Sequence, residues 1–76
     1  MEGIMTNVFD GLKLHEFILT EYTAYKTGMK IYTFENDSED RIQVEVFDKG
    51  LITINTRGDV TVEAMREIVK IDWEAL

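Results

Sequence analysis

The chain contains no cysteine and no proline, a single histidine and a single serine, and only eight basic residues against fifteen acidic ones. Without cysteine there is no disulfide framework of the kind small secreted domains rely on, and neither a thiolate zinc site nor a cysteine nucleophile can be built. The chain therefore reads as cytoplasmic. Met1-Glu2-Gly3-Ile4-Met5 has neither a basic leader nor an apolar run, and no uninterrupted apolar stretch approaches the ~20 residues of a membrane span. The shortage of Lys and Arg opposes direct binding to nucleic acid or to an anionic membrane, since both need clustered positive charge. One histidine supports neither a serine-nucleophile arrangement nor a two-histidine metal site. Ser38 lies among carboxylates, a setting that would repel an oxyanion rather than stabilise it. The five glycines form no phosphate-cradling cluster. No enzyme activity, metal or cofactor is expected.

What is present suits one small folded domain. In 76 residues, 45% are hydrophobic and 30% charged, the balance of a globular chain rather than a disordered one. A domain this short buries only about 60% of its unfolded surface, so homodimerisation would be a natural supplement to its stability. The net charge of −7 is uneven. Residues 1–34 carry −1, 35–48 carry −5, 49–58 carry +2 and 59–76 carry −3.

Residues 1–6 show no clear period and are expected to be loose. From Asn7 two readings compete. Val8, Leu12, Leu14, Phe17, Ile18, Tyr22 and Tyr25 fall roughly three and four apart, with Thr6, Asn7 or Asp10 to cap and Gly28 to terminate, which predicts a helix. Phe17, Leu19, Glu21 and Thr23 also alternate, in a threonine- and tyrosine-rich stretch, which predicts a strand over the same residues. Beyond them the pattern is clearer. Met29 to Glu35 and Arg41 to Phe47 alternate on either side of the polar Asn36-Asp37-Ser38-Glu39-Asp40 turn, a β-hairpin, and Asp48-Lys49-Gly50 leads into a third strand from Leu51 to Thr56. Arg57-Gly58-Asp59 breaks the sheet. Asp59 or Thr61 can cap a last helix whose stripe is Val62, Met65, Ile68, Val69, Trp73 and Leu76, although Val69, Ile71 and Trp73 also alternate. The expected fold is α+β: a three-stranded antiparallel meander with an N-terminal and a C-terminal helix on one face. If residues 17–23 form a strand, the sheet has four strands plus the C-terminal helix.

Several motifs carry less than they spell. The 35–40 carboxylates do not match a calcium loop, because counting from Glu35 puts Asp40 and Val46 where glycine and a bidentate glutamate are required. Arg57-Gly58-Asp59 resembles integrin-binding tripeptides of extracellular proteins, but glycine there serves a strand-to-helix turn. Glu63 and Glu67 sit one helical turn apart without a cleft to separate their pKa values.

Two surfaces remain as candidates for a protein partner. Glu35, Asp37, Glu39, Asp40, Glu45 and Asp48 can imitate spaced phosphates and so occupy an Arg- and Lys-lined groove built for nucleic acid. Alternatively Tyr32, Phe34, Phe47 and Leu51 form an aromatic sheet face for a homodimer or a docking subunit. In shortness, acidity and α-β-β-β-α order over about residues 7–76, the chain resembles the small acidic inhibitors encoded by phages, particularly anti-CRISPR proteins. That resemblance rests on no motif and carries no residue over. It implies an inhibitor from a phage or mobile element, directed at a nucleic-acid-binding host defence protein.

Overall fold

The computed structural model describes residues 8–76. The expectations for residues 1–6, and for Thr6 and Asn7 as caps, lie outside them. A short helix α1 (Asp10–Leu14) precedes four strands, β1 (Ile18–Ala24), β2 (Lys30–Glu35), β3 (Arg41–Val46) and β4 (Ile52–Arg57), followed by helix α2 (Val62–Lys70) and a 3-10 turn (Trp73–Ala75). The strands form one antiparallel meander in sequence order. Four strands replace the expected three because the first helix stops at Leu14. Glu16 then adopts a left-handed φ of 68°, which ends the helix and turns the chain into the β-branched and aromatic run 18–24. Tyr22 and Tyr25 therefore belong to the sheet and its first hairpin, not to a helical face.

The three hairpins share one construction. The three-residue loops 26–28, 37–39 and 48–50 are each closed by two backbone bonds: the N–H of residues 25, 36 and 47 donates to the carbonyl of 29, 40 and 51, and the N–H of 28, 39 and 50 donates back to the carbonyl of 25, 36 and 47. The last residue of each loop is left-handed: Gly28 at φ 95°, Glu39 at 65° and Gly50 at 78°. This is the turn-plus-bulge geometry of three-residue hairpins, which favours glycine at that position. Glu39 is the exception. Its own hairpin is held by Asn36, whose Oδ1 accepts from the backbone N–H of Ser38 (3.0 Å) and Asp40 (2.9 Å). Equivalent positions should thus respond with opposite sign. Glu39→Gly is expected to stabilise the fold by about 0.5–1 kcal/mol, and Gly28→Ala to destabilise it by about 1 kcal/mol. Urea denaturation of both variants measures the pair.

The loop bonds fix which residues face the helices. Tyr32 and Phe34 pair with Val44 and Ile42, and Val44 and Val46 pair with Ile54 and Ile52. These side chains join Phe9, Leu12, Phe17, Ala64, Ile68 and Trp73 in a single core, so both helices cover the same side of the sheet. An aromatic cluster occupies its centre: Phe9 lies 5.0 Å from Phe34 and Tyr32 5.0 Å from Trp73, ring centre to ring centre. Burial, with Tyr22 beside it, pushes the Tyr32 phenol up to about 12. The opposite face carries threonine, glutamine, asparagine and charged side chains, with Ile18 and Ile31; its rim is solvent-exposed, while Thr33 at its centre is buried under its neighbours.

The last helix differs from its sequence pattern. Thr61 caps it, its Oγ1 accepting from the N–H of Ala64 at 3.2 Å. The buried residues are Ala64 and Ile68, while Val62 and Val69 are 63% and 65% exposed. Ala64 and Ile68 take the core side of the helix, and Glu67 lies over Gly11 of the first helix. Helix α2 ends at Lys70, Ile71 is extended, and the 3-10 turn brings Trp73 back into the core, where its Nε1–H donates to the carbonyl of Ile68 at 3.0 Å. The Lys30 amine donates to the main-chain oxygen of Leu76 and fastens the last residue to the sheet. Among the described residues no helix is long and apolar enough to cross a membrane.

Candidate acidic interface

The charge concentrated at 35–48 in sequence is divided by the fold. Strands β2 and β3 run in opposite directions, so the 37–39 loop and the 48–50 loop lie at opposite ends of β3, roughly 20 Å apart at ~3.3 Å per residue. Glu35, Asp37 and Glu39 gather at the first end. Asp48 lies at the second, against Gly28. Glu45 is on the solvent face between them, its carboxylate accepting from Thr53 Oγ1 at 2.7 Å.

Asp40 is beside the first cluster, but its carboxylate is committed to holding the chain. It accepts from Asn36 Nδ2 at 2.9 Å and, through the other oxygen, from the backbone N–H of Asp59 at 3.0 Å. These two bonds lower its pKa below the ordinary value of 3.8. The depressed folded-state pKa means that this anchor is intact above pH 3.8 and is lost as pH falls through the lower value. An NMR titration should show Asp40 protonating after the exposed carboxylates, with the Asp59 amide resonance moving in step. Asp59 therefore ties the strand-to-helix turn to the 36–40 hairpin, and Gly58 at φ 84° supplies the bend; the helix cap falls to Thr61 alone.

One residue joins the cluster that the charge pattern did not single out. Ile18 pairs with Glu35, which carries Glu16 to the same end of the sheet. Glu16, Glu35, Asp37 and Glu39 surround an open concavity of about 530 Å³ floored by Ile18 and Thr20. Thr20 Oγ1 donates to Glu35 at 2.7 Å and orients it. The strand reading of residues 17–23 contained the signal for Glu16, since it sets this segment antiparallel to β2. Glu16 and Glu39 are also the two left-handed non-glycine residues among those described.

The rim has a basic border. Arg41 and Arg57 pair directly across β3 and β4 on the solvent face, next to Gln43 and Asn55. The one ion pair among the described residues joins Lys70 to Glu67 on α2, and Arg41, opposite Glu35 in the β2–β3 register, makes no direct ion pair with the rim. No group of three His, Asp or Glu among the described residues is placed to hold a metal ion. His15 follows the last residue of α1, and Ser38 sits in the middle of the acidic loop.

The aromatic quartet does not form one surface. Tyr32 and Phe34 are 1% and 0% exposed, because their parity on β2 points them at the helices. Phe47 and Leu51 lie at the far hairpin, where with Met29 they line an open apolar concavity of about 370 Å³. Comparison with protein-family models, with curated proteins and with solved structures finds no match for this chain.

Proposed function

We propose that this chain is a small acidic binding protein, a phage or mobile-element inhibitor that blocks the basic nucleic-acid-binding surface of a host defence protein of the CRISPR type. The observation that carries this reading is the convergence of Glu16, from the end of the first helix, with Glu35, Asp37 and Glu39 at one end of a four-stranded sheet. Four carboxylates on a short, hydrogen-bonded scaffold present a negative field in a fixed geometry, which steers a partner whose groove is lined by Arg and Lys. The chain acts by occupying that groove and offers no chemistry of its own. A competition experiment tests it: saturating protein should displace DNA or guide RNA from the effector complex, and nucleic-acid binding left undiminished sinks the reading.

A second reading rests on the exposure of Leu51, 63%, beside Phe47 and Met29. In that case the far hairpin docks an apolar surface on a larger subunit, binding is insensitive to salt, and Leu51→Ser abolishes it.

A further inference from the structure

The two outer strands of the sheet are not equivalent. Strand β1 has a register irregularity between Leu19 and Glu21, carries Glu21 within it and adjoins the acidic rim. A bulge and a charged side chain on the strand are devices that discourage further pairing on an edge. Strand β4 pairs with β3 in unbroken register over all six residues and has no neighbour on its other side. It contains no proline and no charge before Arg57.

The phase of that edge follows from the last hairpin. Phe47 and Leu51 form a hydrogen-bonded pair, so residues 53, 55 and 57 bond inward to β3 by alternation. Ile52, Ile54 and Thr56 then direct their N–H and C=O groups outward, with no strand to receive them. Ile52 and Ile54 are only half-buried against the core.

We propose that β4 is the dimerisation edge of this protein, pairing antiparallel with β4 of a second copy to make a continuous eight-stranded sheet. Charge selects that occupant. Residues 49–58 hold two basic residues and no acid, +2, so the remainder of the chain carries −9 of the total −7. This edge therefore meets its copy without bringing any carboxylate of β4 against another, and the antiparallel register sets Arg57 against Leu51 of the second copy rather than against a like charge. The edge is also self-complementary, as a two-fold interface must be. With the axis at Ile54, Ile54 faces itself, Ile52 faces Thr56 of the second copy, and about six backbone hydrogen bonds form. The apolar side of one sheet continues into the other, and Arg57 does not face Arg57. Both acidic rims stay free, one at each end of the dimer, which makes the particle bivalent for a basic partner.

Sedimentation equilibrium over a range of concentrations, combined with residue-resolved hydrogen exchange, tests this. The mass is expected to rise from 8.8 kDa toward twice that value. The amides of Ile52, Ile54 and Thr56 should slow in step with the dimer fraction. Thr56→Pro removes an outward donor that the monomer does not use, and should hold the mass at the monomer value with the strand spectrum unchanged. A mass that stays at 8.8 kDa at millimolar concentration overturns the proposal. So does a dimer in which those three amides exchange freely; this result needs no variant and would indicate another surface, such as the Met29, Phe47 and Leu51 patch.

Discussion

Phe34→Ala is expected to leave the chain largely unfolded at room temperature. Phe34 has no solvent exposure and sits between Phe9, 5.0 Å away ring to ring, and Trp73, 6.3 Å away. Removing a buried phenylalanine costs about 3–5 kcal/mol, through lost transfer energy and the cavity left behind. A single core in a domain of this size supplies only about 3–5 kcal/mol in total. The two figures are comparable, so the substitution consumes the whole margin. The geometry sharpens the expectation, because Phe34 connects the sheet to both the segment before α1 and the 3-10 turn after α2. Circular dichroism during a thermal scan should show no cooperative transition. Leu51→Ser, on the exposed far hairpin, is the control and should melt like the parent, within about 0.5 kcal/mol.

The largest functional effect is expected from neutralising the acidic rim. Changing Glu16, Glu35, Asp37 and Glu39 together to Gln, Gln, Asn and Gln keeps the size of each side chain and removes four charges. Solvent-exposed charge pairs contribute about 0.2–1 kcal/mol each, so the quadruple variant should weaken competition with nucleic acid by about 1–4 kcal/mol. Affinity of the parent should fall steeply as salt rises, and that dependence should flatten in the variant. Neutralising Glu45 and Asp48 instead should change little, since the fold removes both from the rim. Equal losses from the two sets would show that net charge, not the assembled site, governs binding. Asp40 is kept out of the series because its carboxylate secures the Asp59 turn, and its loss would mix stability with recognition.

The Glu16 and Asp48 positions show how far a linear reading reaches. Both β2–β3 and β3–β4 hairpins were legible, since alternation and turn chemistry are local and each loop contains its own signal, Asn36 in one and Gly50 in the other. Residues 17–23 were ambiguous because a run such as Phe17, Ile18, Leu19, Tyr22 satisfies a 3.6-residue period and a two-residue period equally. The choice was made by what the segment could pair with. Strand β2 offered a free edge with Phe34 opposite Leu19 and Tyr32 opposite Tyr22. Val62 and Val69 misled for a related reason: periodicity finds an apolar stripe, but the packed helix buries Ala64 and Ile68 and leaves both valines exposed.

The sequence by itself determined the class of the fold: a small α+β chain with a strongly acidic composition, a β-meander and a capped final helix. Composition and short-range pattern suffice for these properties, because they depend on residue type and on neighbours a few positions away. Tertiary structure alone decided which carboxylates lie together. It separated Asp48 from Asp37 by the length of a strand, committed Asp40 to anchoring the Asp59 turn, brought Glu16 across to Glu35, and drew Tyr32 and Phe34 into the core. Antiparallel pairing is the physical reason, since it sends residues close in sequence to opposite ends of a sheet and sets distant ones side by side.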